Sequence, residues 1–442
     1  MDSHKSSLSK LNWLTSTPFL LLSMGALQVI WLLLTWVSGA AENWIKIPWL
    51  LAYSLTATAV CLLPSERFPW NKPAIRASLL KYQHLFLPAA LGLALLFGLV
   101  YGFYQRLWPD ENLVMGVAVP LAEKGLGHLL EIYRSSSYMR QHPPLLFVLF
   151  ALALRLFNMN LLALRYITLV FALLTLVVTF RLGKELYDRA TGIIGALFLF
   201  SFPLFMRLGT TGMSDMPVTF FFLLSIYLLT RFVRAPSVWL AIATGASLAI
   251  GMMVKYTMVF ILPVLFAFFI FIPEFRKFRR AFYAGLALAA ILLSAWLVYA
   301  WQAGVLANQF KTLASYSTVV FRTEIGKSFL LESLFTRLPS AIGPYNLPLI
   351  LLGLKSALQA RRSADKTLFL WASIVFVLLC LTLPDHRYFM PTFPAVALLM
   401  ARGLEGLPES RNRLVALSLL FGLGALYLFV DWNRLGLIFL SN

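Results

Sequence analysis

The residues whose types and positions could do chemistry are carboxylates and cations at the ends of apolar segments. Asp110 and Glu111 stand side by side in Trp108-Pro109-Asp110-Glu111-Asn112, just beyond an apolar run. Adjacent carboxylates at a membrane–water boundary suit a general base or a cation site, although such a pair also serves as a solvated loop start. Their oxygens are hard enough for Mg²⁺ or Mn²⁺, but no third ligand is identifiable, so no metal ligand and no cofactor is assigned. Further on, His142 precedes Pro143-Pro144-Leu145, a rigid start to the next helix. Asp215 is a lone carboxylate immediately before an apolar run, where it either favours a helix dipole or lines a site. Lys255 lies between two apolar segments, as a snorkelling lysine or a phosphate partner. Asp385-His386-Arg387-Tyr388 separates two more, as an interfacial anchor or a cationic site. An ionisable group at membrane depth costs about 2.5–3.5 kcal/mol by insertion scales, so each of these asks for a reason. Together they supply a candidate base and cations for a phosphate-bearing lipid.

The elements that must position these groups are membrane spans. The 442-residue chain is 60% hydrophobic and 12% charged, with a mean hydropathy of +0.80. A soluble domain carries about 25% charged residues, so too few are present to cover a water-facing surface of this size. Phe19–Val37, Ile47–Pro64 and Leu85–Phe103 contain no Asp, Glu, Lys or Arg. The first of these reads as a span rather than a cleavable signal. Apolar runs at 19–38, 47–64, 84–103, 143–157, 162–181, 190–206, 216–231, 237–254, 256–273, 282–302, 341–358, 367–384, 388–402 and 414–431 are the candidate crossings. The formal charge of +19 lies mostly in short clusters between these runs, with no basic stripe of interleaved aromatics, which excludes nucleic acid as the partner. Cys61 and Cys380 both fall in apolar runs and read as free core thiols.

Lys5 and Lys10, the cluster Arg67 to Lys81, Arg276 to Arg280, Arg361-Arg362 and Arg402 to Arg413 mark inside loops. That puts 104–142, Asp215, Lys255, 303–340 and Asp385-His386-Arg387 outside. The parity closes only if one segment between 143 and 206 fails to cross, and 143–157, short and carrying Arg155, is the choice. The expectation is an all-α polytopic membrane protein of about 13 transmembrane helices, with a large first outer loop carrying short surface helices. The division reads as a two-span extension over 1–83, a catalytic module over 84–340 and C-terminal helices over 341–442.

In this order the motifs resemble the GT-C superfamily of polyprenyl-phosphate-sugar-dependent glycosyltransferases, in the branch of protein O-mannosyltransferases and the lipid A aminoarabinose transferase. The resemblance runs from about residue 84 to about 405. It rests on Asp110-Glu111 opening the first outer loop, His142 to Leu145, Leu164-Arg165-Tyr166, and Arg181 to Tyr187. Asp215 before Phe220-Phe221-Phe222, Gly245 to Lys255, and His386-Arg387-Tyr388 with Pro391 and Pro394 complete it. The first two spans have no counterpart in it. The resemblance implies a GT-C-like bundle and an inverting transfer of sugar from a polyprenyl-phosphate carrier to a hydroxyl of a lipid, glycan or protein. Asp110 would be the base with Glu111 beside it, and His142 and Asp215 would contact substrate. Charge logic adds Lys255, His386 and Arg387, with Tyr388, as holders of the lipid phosphate. The expected location is the plasma (inner) membrane, with the site on the extracytoplasmic face.

Rival classes are a secondary transporter, a glycan polymerase or ligase of another polytopic fold, and a non-catalytic scaffold. Transporters place ionisable groups near the midplane and show related halves; here the charges sit at span ends and no internal repeat is found.

Overall fold

A computed structural model describes residues 73–104, 107–135, 142–277, 279–302, 333–343, 346–360, 362–382 and 385–405, with 304, 306–307, 311 and 330–331 between them. The expected spans at 19–38, 47–64 and 414–431, and Cys61, lie outside these residues. The described elements are all helical. In chain order they are α1 (Pro73–Tyr104), α2 (Pro109–Lys124), α3 (Leu129–Ser135), α4 (Leu145–Leu156), α5 (Leu162–Leu186), α6 (Arg189–Phe200), α7 (Pro203–Leu208) and α8 (Asp215–Arg234). There follow α9 (Val238–Val254), α10 (Ile261–Phe271), α11 (Pro273–Arg276), α12 (Arg279–Gln302), α13 (Leu338–Ile342), α14 (Leu347–Ala360), α15 (Ser363–Thr382) and α16 (Phe393–Glu405). Helix α1 begins at Pro73, so it runs across the boundary expected between residues 83 and 84.

By length and composition α5, α8, Tyr283–Gln302 within α12, and α15 are each able to cross a bilayer. Large apolar side chains such as Leu96, Phe103, Ile291, Val298 and Trp301 are exposed on the outside of the bundle. Facing water this surface would drive aggregation; facing lipid tails it matches its solvent. Other runs read as single spans are built from two pieces. Pro203 has no N–H to continue the ladder of α6, so the chain breaks at Ser201-Phe202 and restarts as α7. Lys255 adopts an extended backbone after α9, and a 3-10 turn over Tyr256–Phe260 precedes α10. Helix α4 has 12 residues, about 18 Å of rise, well short of a ~30 Å hydrocarbon core.

Two apolar cores result. The larger fills the bundle with Phe198, Phe202, Phe205, Phe222, Trp371 and Phe393. The smaller lies at one end, where α2, α3 and α4 pack on the start of α5 and the end of α12 through Val117, Tyr133, Phe147, Phe150, Leu164 and Trp296. Without a hydrophobic force between spans in lipid, close approach through small residues does much of the holding. Helices α14 and α16 show this: a Cβ added to Gly353 would stand 2.1 Å from the carbonyl oxygen of Leu399.

Candidate active site

The end of the bundle capped by α2–α4 gathers most of the charged residues singled out above. Pro109 opens α2 at the first helical position, where its missing N–H is no loss, and puts Asp110 and Glu111 in the first turn. A step of about 100° around the helix sends the two carboxylates in different directions.

Glu111 points inward and is fully buried. Arg165, at the start of α5, donates to it from Nε (3.0 Å to Oε1) and Nη2 (3.0 Å to Oε2). The Gly212 N–H adds a third bond at 2.7 Å, and the Trp108 N–H a fourth at 3.0 Å. Arg165 Nη1 donates to the Gly102 carbonyl at 2.7 Å, so the pair also ties down the end of α1. Glu111, expected beside Asp110 in the catalytic site, joins α1, α2, α5 and the Thr210–Ser214 connection through these bonds. Just ahead of it the Arg207 guanidinium lies 4.2 Å from the Trp108 ring, a cation–π contact that fastens α7 to the start of α2.

Asp110 keeps 29% side-chain exposure and forms an ion pair through Oδ2 with Nη1 of Arg387. Arg387 stands at the start of the 3-10 turn His386–Thr392 that leads into α16. Asp385 caps that turn, taking the Arg387 backbone N–H at 3.2 Å and its Nε at 3.1 Å. His386 Nδ1 lies 3.0 Å from Asp385 Oδ1, close enough for charge but poorly aligned as a hydrogen bond. Burial alone would push the Asp385 carboxyl up, but adjacent His386 and the guanidinium and N–H of Arg387 outweigh it and hold the group well below the usual carboxylate range.

The second carboxylate site is deeper. Asp215, in the first turn of α8, is 2% exposed and accepts a bond from Lys255 Nζ at 2.7 Å. Its Oδ2 is buried and has no hydrogen-bond partner among the described residues. The Tyr388 ring contacts both cations, its centre 4.5 Å from Lys255 Nζ and 5.3 Å from the Arg387 guanidinium carbon. Asp110, Asp215, Lys255, His386, Arg387 and Tyr388 thus form one connected cluster. His142 belongs to the capping layer: its carbonyl takes the Tyr133 hydroxyl at 2.8 Å and its ring meets Phe147 edge-on. Arg207 was not singled out at the level of sequence, and Asp385 and Arg165 entered only as parts of motifs. A charge at the start of an apolar run was the available signal for Arg165.

Among the described residues no three His, Cys, Asp or Glu side chains group together. Both Glu111 oxygens already take donors, and Asp110 and Asp385 share Arg387, so a divalent ion would have to displace that guanidinium.

A family profile described as dolichyl-phosphate-mannose-protein mannosyltransferase matches residues 141–299. Among solved structures the chain is similar to ArnT from Cupriavidus metallidurans bound to undecaprenyl phosphate, with a TM-score of 0.58 and 17% identity over 76% of this chain and 64% of that one. It is similar to the oligosaccharyltransferase AglB of Archaeoglobus fulgidus, solved with an inhibitory peptide and a dolichol-phosphate (TM-score 0.52, 14% identity, 79% and 56% covered). An uncharacterized protein of Aquifex aeolicus (strain VF5) is 24% identical over 331 residues, 72% of this chain and 63% of that protein. The chain therefore spans somewhat under two thirds of the length of each of these proteins.

Proposed function

We propose that this protein is an inverting membrane glycosyltransferase. It moves a sugar from a polyprenyl-phosphate carrier to a hydroxyl of a lipid, glycan or protein acceptor at the extracytoplasmic face of the inner membrane. The observation that carries this reading is one partly exposed carboxylate, Asp110, paired with Arg387 and linked across the Tyr388 ring to the buried Lys255–Asp215 pair at the end of a membrane bundle. The carriers in the ArnT and AglB structures, undecaprenyl phosphate and dolichol-phosphate, support a lipid phosphate as the ligand of those cations.

In the reaction Asp110 accepts the proton of the acceptor hydroxyl. The acceptor oxygen forms its bond to the anomeric carbon from the face opposite the carrier while the bond from that carbon to the phosphate oxygen breaks. The electron pair leaves with the lipid phosphate, whose added charge Arg387 and Lys255 balance. Asp215 offers Oδ2 to a sugar hydroxyl, and Tyr388 offers its ring to both cations. Glu111 fixes the backbone that aims Asp110. No step is routed through a metal. Gathering of charge at one end of the bundle, rather than at its middle, favours this reading over a transporter.

The test compares wild type with Asp110→Asn in nanodiscs, each given radiolabelled polyprenyl-phosphate sugars and a crude membrane acceptor fraction. Wild type should strip sugar from the carrier and the variant should be slower by about 10²–10⁴-fold, the usual contribution of a general base. Equal turnover removes Asp110 from the mechanism. If neither protein binds or consumes any donor, the transferase class fails.

A further inference from the structure

Both cations assigned to the lipid phosphate have carboxylate partners within the protein: Lys255 is on Asp215 and Arg387 is on Asp110. The two arrangements differ in how the cation is anchored. Arg387 is gripped by Asp385 at its backbone N–H and again at Nε, the inner part of its guanidinium. Only the terminal Nη1 reaches Asp110. A guanidinium held this way keeps its place while its terminal edge exchanges one partner for another. That edge matches a phosphate at least as well as a carboxylate. Asp385 is suited to the anchoring role because its neighbours keep it ionised well below the usual range, so it remains a fixed anion while Arg387 changes partners.

We infer that Asp385 is a positioning residue that holds Arg387 as an exchangeable cation, paired with Asp110 until the donor's phosphate draws it away and frees Asp110 to take the acceptor's proton. The inference rests on the transferase reading above. It makes turnover wait on the carrier, since the base is engaged until the phosphate is seated. It also gives Asp110 two opposed effects: it is needed for turnover, and it competes with the phosphate for Arg387.

Binding of undecaprenyl phosphate to protein in phosphatidylcholine nanodiscs separates these effects, with phosphatidylglycerol as a second phosphate-bearing lipid. Asp110→Asn, nearly isosteric, should bind undecaprenyl phosphate about three- to tenfold more tightly than wild type, the scale of a half-buried ion pair. Asp110→Glu, which keeps the competing charge, should show no gain. Asp385→Asn should raise the donor KM by a similar factor with a smaller change in kcat, and Asp385→Glu should recover most of it. Unchanged or weaker binding by Asp110→Asn overturns the exchange. A kcat loss in Asp385→Asn with KM unmoved, or no rescue by Asp385→Glu at a matched unfolding midpoint, overturns the positioning role. An equal gain for phosphatidylglycerol overturns the carrier as the partner. Wild type that binds no undecaprenyl phosphate at all sinks the transferase reading itself, a result distinct from each of these.

Discussion

Asp110 and Glu111 are neighbours in the chain, and each is paired with an arginine, yet the two pairs are built for different ends. Glu111 receives four donors, two from Arg165 and one each from the Gly212 and Trp108 backbone, in a fully buried place. A carboxylate has about four lone-pair sites, so none is left for a substrate proton. Asp110 receives one arginine nitrogen and keeps 29% of its side chain exposed. Saturation in a sealed setting makes a joint between helices. Partial occupation in an accessible setting leaves a group whose one partner can be exchanged.

Breaking the sealed pair should have the largest effect on the folded protein. Arg165→Met leaves the Glu111 carboxylate buried without its countercharge, which costs about 3–5 kcal/mol. The unfolding midpoint in detergent should drop sharply, and with it the yield of folded protein. Adding Glu111→Leu removes the stranded charge and should restore much of the loss, since an apolar pair of similar volume is often neutral in such places. An Arg165→Met protein as stable as wild type but inactive would move this pair into the chemistry and erase the distinction drawn from Asp110.

Gly212→Ala tests the same joint more gently. Its N–H donates to Glu111, and a Cβ there would stand 3.0 Å from the Leu164 Cβ and 3.4 Å from Glu111 Oε1. A small shift of α5 or of the Thr210–Ser214 connection accommodates the methyl, so about 1 kcal/mol of stability is lost. Turnover should fall less than in any change at Asp110. A variant with full stability and lost turnover would show that the sealed carboxylate acts in the reaction.

How far the sequence shows this arrangement depends on the range of each interaction. The spans are legible because lipid imposes long apolar runs, and short α4 is legible from its length and from Arg155 near its end. The breaks inside two runs are less so: Pro203 marks the one in 190–206, but nothing local announces that 256–273 opens as a 3-10 turn over Tyr256–Phe260. Asp110, Asp215, Lys255 and Arg387 stand out because charge is costly at a membrane boundary. What cannot be read is the pairing. Arg387 meets Asp110 across 277 residues and Arg165 meets Glu111 across 54, so composition places the charges while only packing decides which are sealed together. The Asp385 cap, by contrast, is local, two residues from its partner.

The smallest effect belongs to a third pair in the same capping layer. Lys124 Nζ lies 2.8 Å from Glu131 Oε1, a separation like those in the site, so distance alone would rank it with them. Exposure ranks it last, because both side chains are at least half open to solvent, where water and salt screen the attraction. The Lys124 hydrogen bond and charge lower the Glu131 pKa, as its own neighbours lower that of Asp385. A depressed folded value means the contribution is complete above the unfolded carboxylate's ordinary value near ~4 and fades only as pH falls through the lower folded one. From neutral pH down to about pH 5, neither carboxylate should therefore move the unfolding midpoint. Lys124→Ala should leave that midpoint unchanged at any ionic strength. A drop comparable to that of Arg165→Met would mean that short distance, not burial, sets the strength of these pairs, and the contrast between Glu111 and Asp110 would lose its physical basis.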